Sequence, residues 1–392
     1  MIKVEQNRCP RCGNTDIDLF YQGSKGWYCR ACIKFSRVLL SETRQENWDD
    51  YPADLDSEYR LNFELTDHQK IISRQICKQM KEKDVLVWAV TGAGKTELCM
   101  EFIQQCLNQK KRVAIVIARR QVVLELAERF QQAFQCKVIP VCEGYTRDID
   151  GDLLIMTAHQ CYRFFEKKFD HIIVDEPDAF PYDGNPVLQG IVRNSCKGTM
   201  LYLSATPDSK LLENCHVLQL FSRPHGYNLP VPVSVYCLPV FSYFYVFCWV
   251  LNRVKQGIPF LIFVPTIKDA HRMTVFLKCR FNVKCCTSKT KDKDGIITKM
   301  KQKKISGMIC TTILERGVTF EGIDVCVWNA DHLTFSSASL IQIAGRVGRK
   351  ASRPDGDCLF LCFSRSRKVD ESIQMINYAN NTKMSIMSSE TQ

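Results

Sequence analysis

Residues 85–98 read Val-Leu-Val-Trp-Ala-Val-Thr-Gly-Ala-Gly-Lys-Thr-Glu-Leu, and no other stretch restricts the fold as much. A continuous apolar run predicts a strand buried on both faces. The glycine-bearing loop, Gly-Lys-Thr and the helical pattern that follow are the context of a phosphate-binding loop. Gly92, Ala93 and Gly94 offer backbone N–H groups to a triphosphate, Lys95 reaches its β- and γ-phosphates, and the Thr96 hydroxyl is placed to ligate Mg²⁺. Ala89 stands where the motif ordinarily opens on glycine.

A strand of that kind needs partners, and the flanking sequence supplies them. Strand-like runs at Val113–Ile117, Lys137–Val141, Leu153–Met156, His171–Val174 and Met200–Leu203 alternate with helical patterns such as Gln121–Phe134. This alternation predicts a parallel sheet covered by helices, with ligands at the carboxyl ends of the strands. One such end carries Asp175-Glu176-Pro177-Asp178, about 80 residues after the phosphate loop. There Asp175 is placed to share Mg²⁺ with Thr96, and Glu176 to polarise the attacking water. Ser204-Ala205-Thr206 ends the next strand.

After the proline-bearing segment Pro224–Pro232 the alternation resumes, with strands at Phe260–Val264, Gly307–Thr311 and Val325–Trp328. No second phosphate loop follows. Instead Gly345-Arg346-Val347-Gly348-Arg349 places two arginines three apart, leading out of a helix, suited to a γ-phosphate held by the first unit. In isolation this would be a basic turn.

Near the start, Cys9-Pro10-Arg11-Cys12 and Cys29-Arg30-Ala31-Cys32 form two CxxC pairs 16 residues apart, the spacing of a closed structural Zn²⁺ site. Arg8, Arg11, Lys25, Arg30 and Lys34 alternate with Phe20, Tyr21, Trp27 and Tyr28, which suits either a nucleic-acid surface or a solvated ribbon over a small aromatic core. Most of the other cysteines, of 21 in all, sit inside apolar runs, and Met1–Asn7 is polar, which predicts a reducing cytosol and no leader. The longest apolar stretch, Leu238–Leu251, is 14 residues and contains Pro239 and Ser242, so a buried helix rather than a membrane span is expected.

The formal net charge of +11 points to an anionic partner. Ten Lys/Arg and two Asp lie between Lys278 and Lys304, either a DNA-facing strip or a solvated helix face.

In order, Thr66-Asp67-His68-Gln69, the phosphate loop, Ala118-Arg119-Arg120, Asp-Glu-Pro-Asp, Ser-Ala-Thr, Thr311-Thr312-Ile313-Leu314-Glu315-Arg316-Gly317 and Gln342-x-x-Gly-Arg-x-Gly-Arg resemble a superfamily 2 helicase core over about residues 60–375. With the four-cysteine module, Asp175–Pro181 and Leu314–Phe320 are similar to the ComFA family of late-competence ATPases. The resemblance implies two tandem RecA-like domains behind a zinc-ribbon-like module. The expected boundaries are a zinc module at 1–45, an acidic linker at 46–59, RecA-like domain 1 at 60–222, a linker at 223–240, RecA-like domain 2 at 241–380 and a flexible tail at 381–392.

By the same resemblance Gln69 reads adenine, Ser204, Thr206 and Gln342 couple nucleotide state to motion, Arg346 and Arg349 act as arginine fingers, and Arg119 and Thr311 touch the DNA backbone. Thr319 departs from the Asp found at that position in many superfamily 2 proteins. The implied activity is a DNA-stimulated ATPase using ATP, Mg²⁺ and Zn²⁺. It would draw single-stranded DNA inward during competence, in the cytoplasm and peripherally at the inner face of the cell membrane. Its implied partners are an uptake channel and a phosphoribosyltransferase-like competence protein, with room for a homo-oligomer. The rival readings are a duplex-unwinding helicase of replication restart or repair and an ATP-gated DNA-binding switch.

Overall fold

The computed structural model describes residues 8–41, 48, 58–314, 318 and 320–389, and for 313 and 383–389 the backbone alone. They form two compact units: residues up to Trp88 with Lys95–Leu220, and Ala89–Gly94 with Phe221 onward.

The first unit begins with a hairpin, β1 (Phe20–Gly23) and β2 (Gly26–Cys29), closed where Gly23 faces Gly26. Helix α1 (Asp67–Gln79) starts at a reciprocal cap: the Thr66 hydroxyl accepts from the Gln69 amide, and the Gln69 side chain accepts from the Thr66 amide. The chain then runs β3 (Val85–Ala89), α2 (Lys95–Leu98), α3 (Met100–Asn108), β4 (Val113–Ile117), α4 (Arg120–Ala133), β5 (Val138–Val141) and β6 (Leu153–Thr157). It continues through β7 (His171–Asp175), α5 (Pro186–Asn194), β8 (Met200–Ser204), α6 (Ser209–Asn214) and β9 (His216–Leu220). The buried residues of α4 are Val123, Leu126, Ala127, Phe130 and Ala133, the spacing of one helical face.

The strands make one sheet ordered β5-β6-β4-β7-β8-β3-β9. Parallel pairing sets Trp88 opposite Ser204, and Asp175 opposite both Leu203 and Ile117. The tips of β3, β8, β7 and β4 therefore share one edge.

The cysteine module is part of this unit rather than an appendage. Cys9, Cys12, Cys29 and Cys32 belong to the same buried core as Leu188 and Ile191 of α5, Phe164 and Phe169. The Asn194 amide nitrogen donates to the Arg11 carbonyl at 3.2 Å, and the Phe35 and Tyr162 rings lie 5.7 Å apart. Of the expected acidic linker only Trp48, Glu58 and Tyr59 are described. Trp48 stacks on Phe164 and donates its indole N–H to the Lys168 carbonyl.

The second unit contains β10 (Val233–Tyr236), α7 (Pro239–Lys255), β11 (Phe260–Phe263), α8 (Ile267–Lys278), β12 (Val283–Cys286), α9 (Lys293–Lys301) and β13 (Gly307–Cys310). It ends with β14 (Asp324–Trp328), α10 (Ser337–Ala344), β15 (Cys358–Cys362) and α11 (Arg367–Ser389). Its sheet is parallel throughout, ordered β10-β15-β14-β11-β13-β12. Two parallel sheets flanked by helices are the tandem RecA-like architecture expected from the sequence.

Several expectations change. The segment 223–240 holds β10 and the start of α7, because Val233–Tyr236 pairs with β15 despite the prolines before it. Strands β9, β12 and β15 are additional. β12 is hidden in the cationic run, and β15 is an all-apolar run whose hydropathy does not separate strand from buried helix. Helix α7 forms but is buried on one side only: Val246, Trp249 and Val250 face the sheet, while Val240 is 74% and Phe244 69% exposed. One sheet face covers one side of a helix, whereas a hydropathy run counts all sides. The backbone of α11 continues helical through Ser389, into the segment expected as a tail.

A Cβ added at Gly190 would lie 2.0 Å from the Cys12 carbonyl oxygen, so α5 and the cysteine module meet where only glycine fits. Gly190→Ala is expected to destabilise the first unit by about 1–3 kcal/mol and to speed metal loss to a chelator. Thermal melting and chelator-release kinetics check both. Unchanged values would mean that the module does not rest on α5.

Candidate active site and metal centre

At the tip of β3 the backbone turns through Gly92 and Gly94, with φ of +82° and +80°. That left-handed region admits glycine without strain. Lys95 and Thr96 open α2, in the first turn of the helix. Next to the adjoining α3, burial raises the Cys99 thiol, as does the charge of Asp175. The helical turn after the phosphate loop thus lies close to the tip of β7.

Asp175 is the last residue of β7. Glu176 follows with φ +54°, an uncommon conformation for a side-chain-bearing residue, and donates its amide to the Leu203 carbonyl at 2.9 Å. Asp178 accepts hydrogen bonds from the Ser204 hydroxyl at 3.0 Å and the Thr206 hydroxyl at 2.7 Å. The Thr206 amide donates to Ser204 Oγ at 3.0 Å. These contacts join the β8 tip to the Asp-Glu-Pro-Asp box. Asp178 was not among the residues assigned a role from sequence, and its signal was the fourth position of that box.

Gln69 is 3% exposed, and its side-chain oxygen accepts from the Thr66 amide and hydroxyl at 2.9 and 3.1 Å. Arg119 is the N-cap of α4 and is half-buried.

In the second unit Thr311 directly follows β13, half-buried. Glu315, Arg316, Gly317 and Thr319 lie outside the described residues. Helix α10 ends at Ala344, and Arg346 and Arg349 lie in the segment that leads out of it. Arg346 is buried and donates to the Val318 carbonyl, while Arg349 is half-buried and donates to the Gly345 carbonyl at 3.0 Å. Gln342 is buried, and its Nε2 has no hydrogen-bond partner among the described residues.

No sequence signal pointed to Arg223, which organises this turn. It is 2% exposed and donates to the carbonyls of Val347, Gly348 and Gly345 at 2.8, 2.6 and 2.9 Å. Burial, with the charge of Arg349, pushes its guanidinium down to about 9.

The four cysteines converge, with all sulfurs within 4.8 Å of one another. Cys9 and Cys32 are 3.8 Å apart, and Cys12 and Cys29 3.7 Å. A tetrahedron with zinc–sulfur bonds of about 2.3 Å has edges of about 3.8 Å, so the donor set fits Zn²⁺, and no fifth donor or open position is implied. Hydrogen bonds from the neighbouring thiols, Cys12 first, and from Arg11 push the Cys32 thiol down, toward the thiolate a metal needs. Arg11 is 1% exposed and donates to the carbonyls of Cys32, Phe35 and Ser36. It is a strut of the metal site, not one of the cations of a nucleic-acid surface.

Residues 62–209 match the family model described as the res subunit of type III restriction enzymes, and residues 243–351 that of the helicase conserved C-terminal domain. The chain is 33% identical over 394 residues to the competence protein ComFA of Streptococcus pneumoniae, covering 95% of this chain and 90% of that protein. It is 32% identical over 414 residues to ComFA of Bacillus subtilis, covering 97% and 87%. Among solved structures, S. cerevisiae Dbp5 bound to RNA and ADP BeF3 superposes with a TM-score of 0.56 at 15% identity, over 80% of this chain and 91% of that one. RecG bound to a three-way DNA junction gives 0.55 at 19%, over 81% and 45%. At such identities these likenesses show the fold alone.

Arg223→Met keeps the bulk of the side chain but releases the carbonyls of the Gly345–Gly348 turn. It is expected to leave the protein folded and to lower the ATP turnover rate by as much as ~100-fold through misplacement of that turn. Steady-state hydrolysis beside a thermal melt checks this. A wild-type rate would show that the turn holds its geometry without Arg223.

Proposed function

Since the chain belongs to the ComFA family and is a helicase-like ATPase, we propose that it is an ATP-driven translocase of single-stranded DNA acting in DNA uptake during competence. The observation that carries the reading is the linkage at the first unit's sheet edge. Lys95 opens α2 after the loop that leaves β3, Asp175 ends β7 with Glu176 next, and Ser204 and Thr206 at the tip of β8 are tied to Asp178 of the same box.

In this reading Lys95 neutralises charge on the β- and γ-phosphates, with the amides of Gly92, Ala93 and Gly94 around them. Thr96 and Asp175 hold Mg²⁺, and Glu176 orients the attacking water. Asp178 transmits the state of the box to Ser204 and Thr206. Arg346 and Arg349 supply positive charge to the transferring phosphoryl group, and Gln342 and Gln69 contact the nucleotide or its coupling path. Arg119 and Thr311 hold the DNA backbone, so binding is insensitive to sequence and sensitive to salt. Zn²⁺ on the four cysteines serves the fold of the first unit.

The proposed partners are single-stranded DNA, an uptake channel and a phosphoribosyltransferase-like competence protein. The proposed place is the inner face of the cell membrane. No helix among the described residues is long and apolar enough to cross a membrane, so contact would be peripheral. The exposed outer face of α7, with Phe241 and Phe244, supports such contact.

The test is ATP hydrolysis by zinc-loaded protein with and without single-stranded DNA. Single strands are expected to stimulate turnover, and Lys95→Ala to abolish it. Glu176→Gln is expected to keep nucleotide binding while losing roughly 10²–10⁴ in rate. A Lys95→Ala protein that still hydrolyses ATP would refute the site. Efficient strand displacement on a duplex would move the reading to an unwinding helicase, and slow turnover indifferent to DNA to an ATP-gated switch.

A further inference from the structure

The cationic run between Lys278 and Lys304 has no part in the motor described above, and its end is built against local stability. Helix α9 closes in a Schellman motif: the Lys303 amide donates to the Met300 carbonyl at 3.0 Å and the Lys304 amide to the Lys299 carbonyl at 2.8 Å. The residue beyond the helix cap takes a left-handed conformation, a place for glycine or asparagine, yet it is Lys303, with φ +57°. The two positions whose side chains usually meet in an apolar contact are Lys299 and Lys304. A helix C-terminus favours a cation in its last turn. It does not favour a lysine in left-handed backbone or two lysines replacing an apolar pair.

Lys299, Lys301, Lys303 and Lys304 are all exposed, and none has an acidic partner among the described residues. Beside them is a cavity of about 330 Å³. Met300, Phe320 and Ile323 give it apolar walls, and Lys301, Lys303, Lys350 and Glu321 line the rest. Among the described residues Lys350 alone of these lysines is paired, with Glu321 at 3.3 Å. The cavity adjoins Pro259, just before β11, and Ile323, just before β14, so it lies where the strands of the second sheet start. Thr311, the expected DNA contact, lies at the other end, where β13 stops.

Clustered ammonium groups at the end of α9, beside a partly apolar pocket large enough for one base and whose single carboxylate, Glu321, is taken up by Lys350, match the chemistry of an unpaired nucleic-acid strand. We propose that the end of α9 and this cavity form a second contact for single-stranded nucleic acid, with Lys299, Lys301, Lys303 and Lys304 on phosphates and the cavity receiving a base. The site rests on the single-strand motor reading and extends the path of the strand beyond Arg119 and Thr311.

The test compares wild type with Lys301→Gln/Lys303→Gly in the full zinc-loaded chain, by anisotropy of a labelled oligothymidylate across a salt series. Glycine relieves the left-handed backbone, so the melting temperature is expected to hold or rise, which separates lost binding from lost folding. Two lost phosphate contacts reduce the slope of log K against log salt by about 1.4, at ~0.7 each, and weaken binding about tenfold at low salt. Basal ATP hydrolysis is expected to stay unchanged. Wild-type binding with the same affinity and slope in the variant would overturn this site and leave the motor reading standing. Absence of oligonucleotide binding by the wild type would overturn both. Weaker binding of the variant to phosphatidylglycerol vesicles, with oligonucleotide binding intact, would overturn it in favour of lipid headgroups.

Discussion

Strands β4, β7, β8 and β3 run parallel and side by side, and this shared polarity is the constraint from which the candidate site follows. In an antiparallel sheet neighbouring tips would point to opposite edges. Here the phosphate loop, the Asp-Glu-Pro-Asp box and Ser-Ala-Thr all leave the sheet at one edge, although far apart in the chain. The strands are held by nearly complete burial: Val85, Leu86 and Val87 of β3 and Ile172 and Ile173 of β7 are fully inaccessible. With both faces buried, register is held by side-chain packing, because a shift by one residue would send every close-packed side chain to the opposite face. The fixed register sets Ser204 and Asp175 level enough for the Asp178 hydrogen bonds to close.

The cysteine module depends on the same sheet. It covers α5 and the Ala158–Phe164 segment, which would otherwise expose Phe164, Leu188 and Ile191. Trp48, from the stretch between module and motor, fills the neighbouring space against Phe164 and Phe169. Four thiols brought together without metal leave mutual repulsion or shared protons, and the Arg11 guanidinium donates to one of them, Cys32. Metal binding at such a site is coupled to folding, and here the folded element includes a helix of the motor unit. The loop 176–185 between β7 and α5 is thus held at its far end by a helix that touches the module.

The second unit solves a different problem. Its apolar content exceeds what one sheet can cover, so α7 presents Phe241, Phe244 and Val240 outward. The carbonyls of its Gly345–Gly348 turn have no regular secondary-structure partners, and a buried arginine provides them. Burying a guanidinium among neutral carbonyls depresses its affinity for protons, and the hydrogen bonds repay that only while the turn stays in place. Arg223 therefore reads as a geometric requirement of the turn rather than as a surface charge.

The amino-acid sequence alone determined the elements whose residues are adjacent in the chain. The phosphate loop, the strand-tip acids, the CxxC pairs and the alternation that makes parallel sheets are local patterns, and their chemistry follows from spacing. Contacts between distant segments were beyond it. Arg223 lies in a stretch with linker composition, and its role exists only because the Gly345–Gly348 carbonyls face it. Arg11 carries the same charge as its exposed neighbours, and only packing turned it inward onto Cys32. Asp178 reaches the Ser204 and Thr206 hydroxyls only when β7 and β8 pair. Hydropathy counts the residues of α7 without knowing which side the sheet covers. Local sequence encodes which backbone conformations and which ligands are favourable, whereas burial, and with it the meaning of a charge or an aromatic ring, is settled only when remote segments pack.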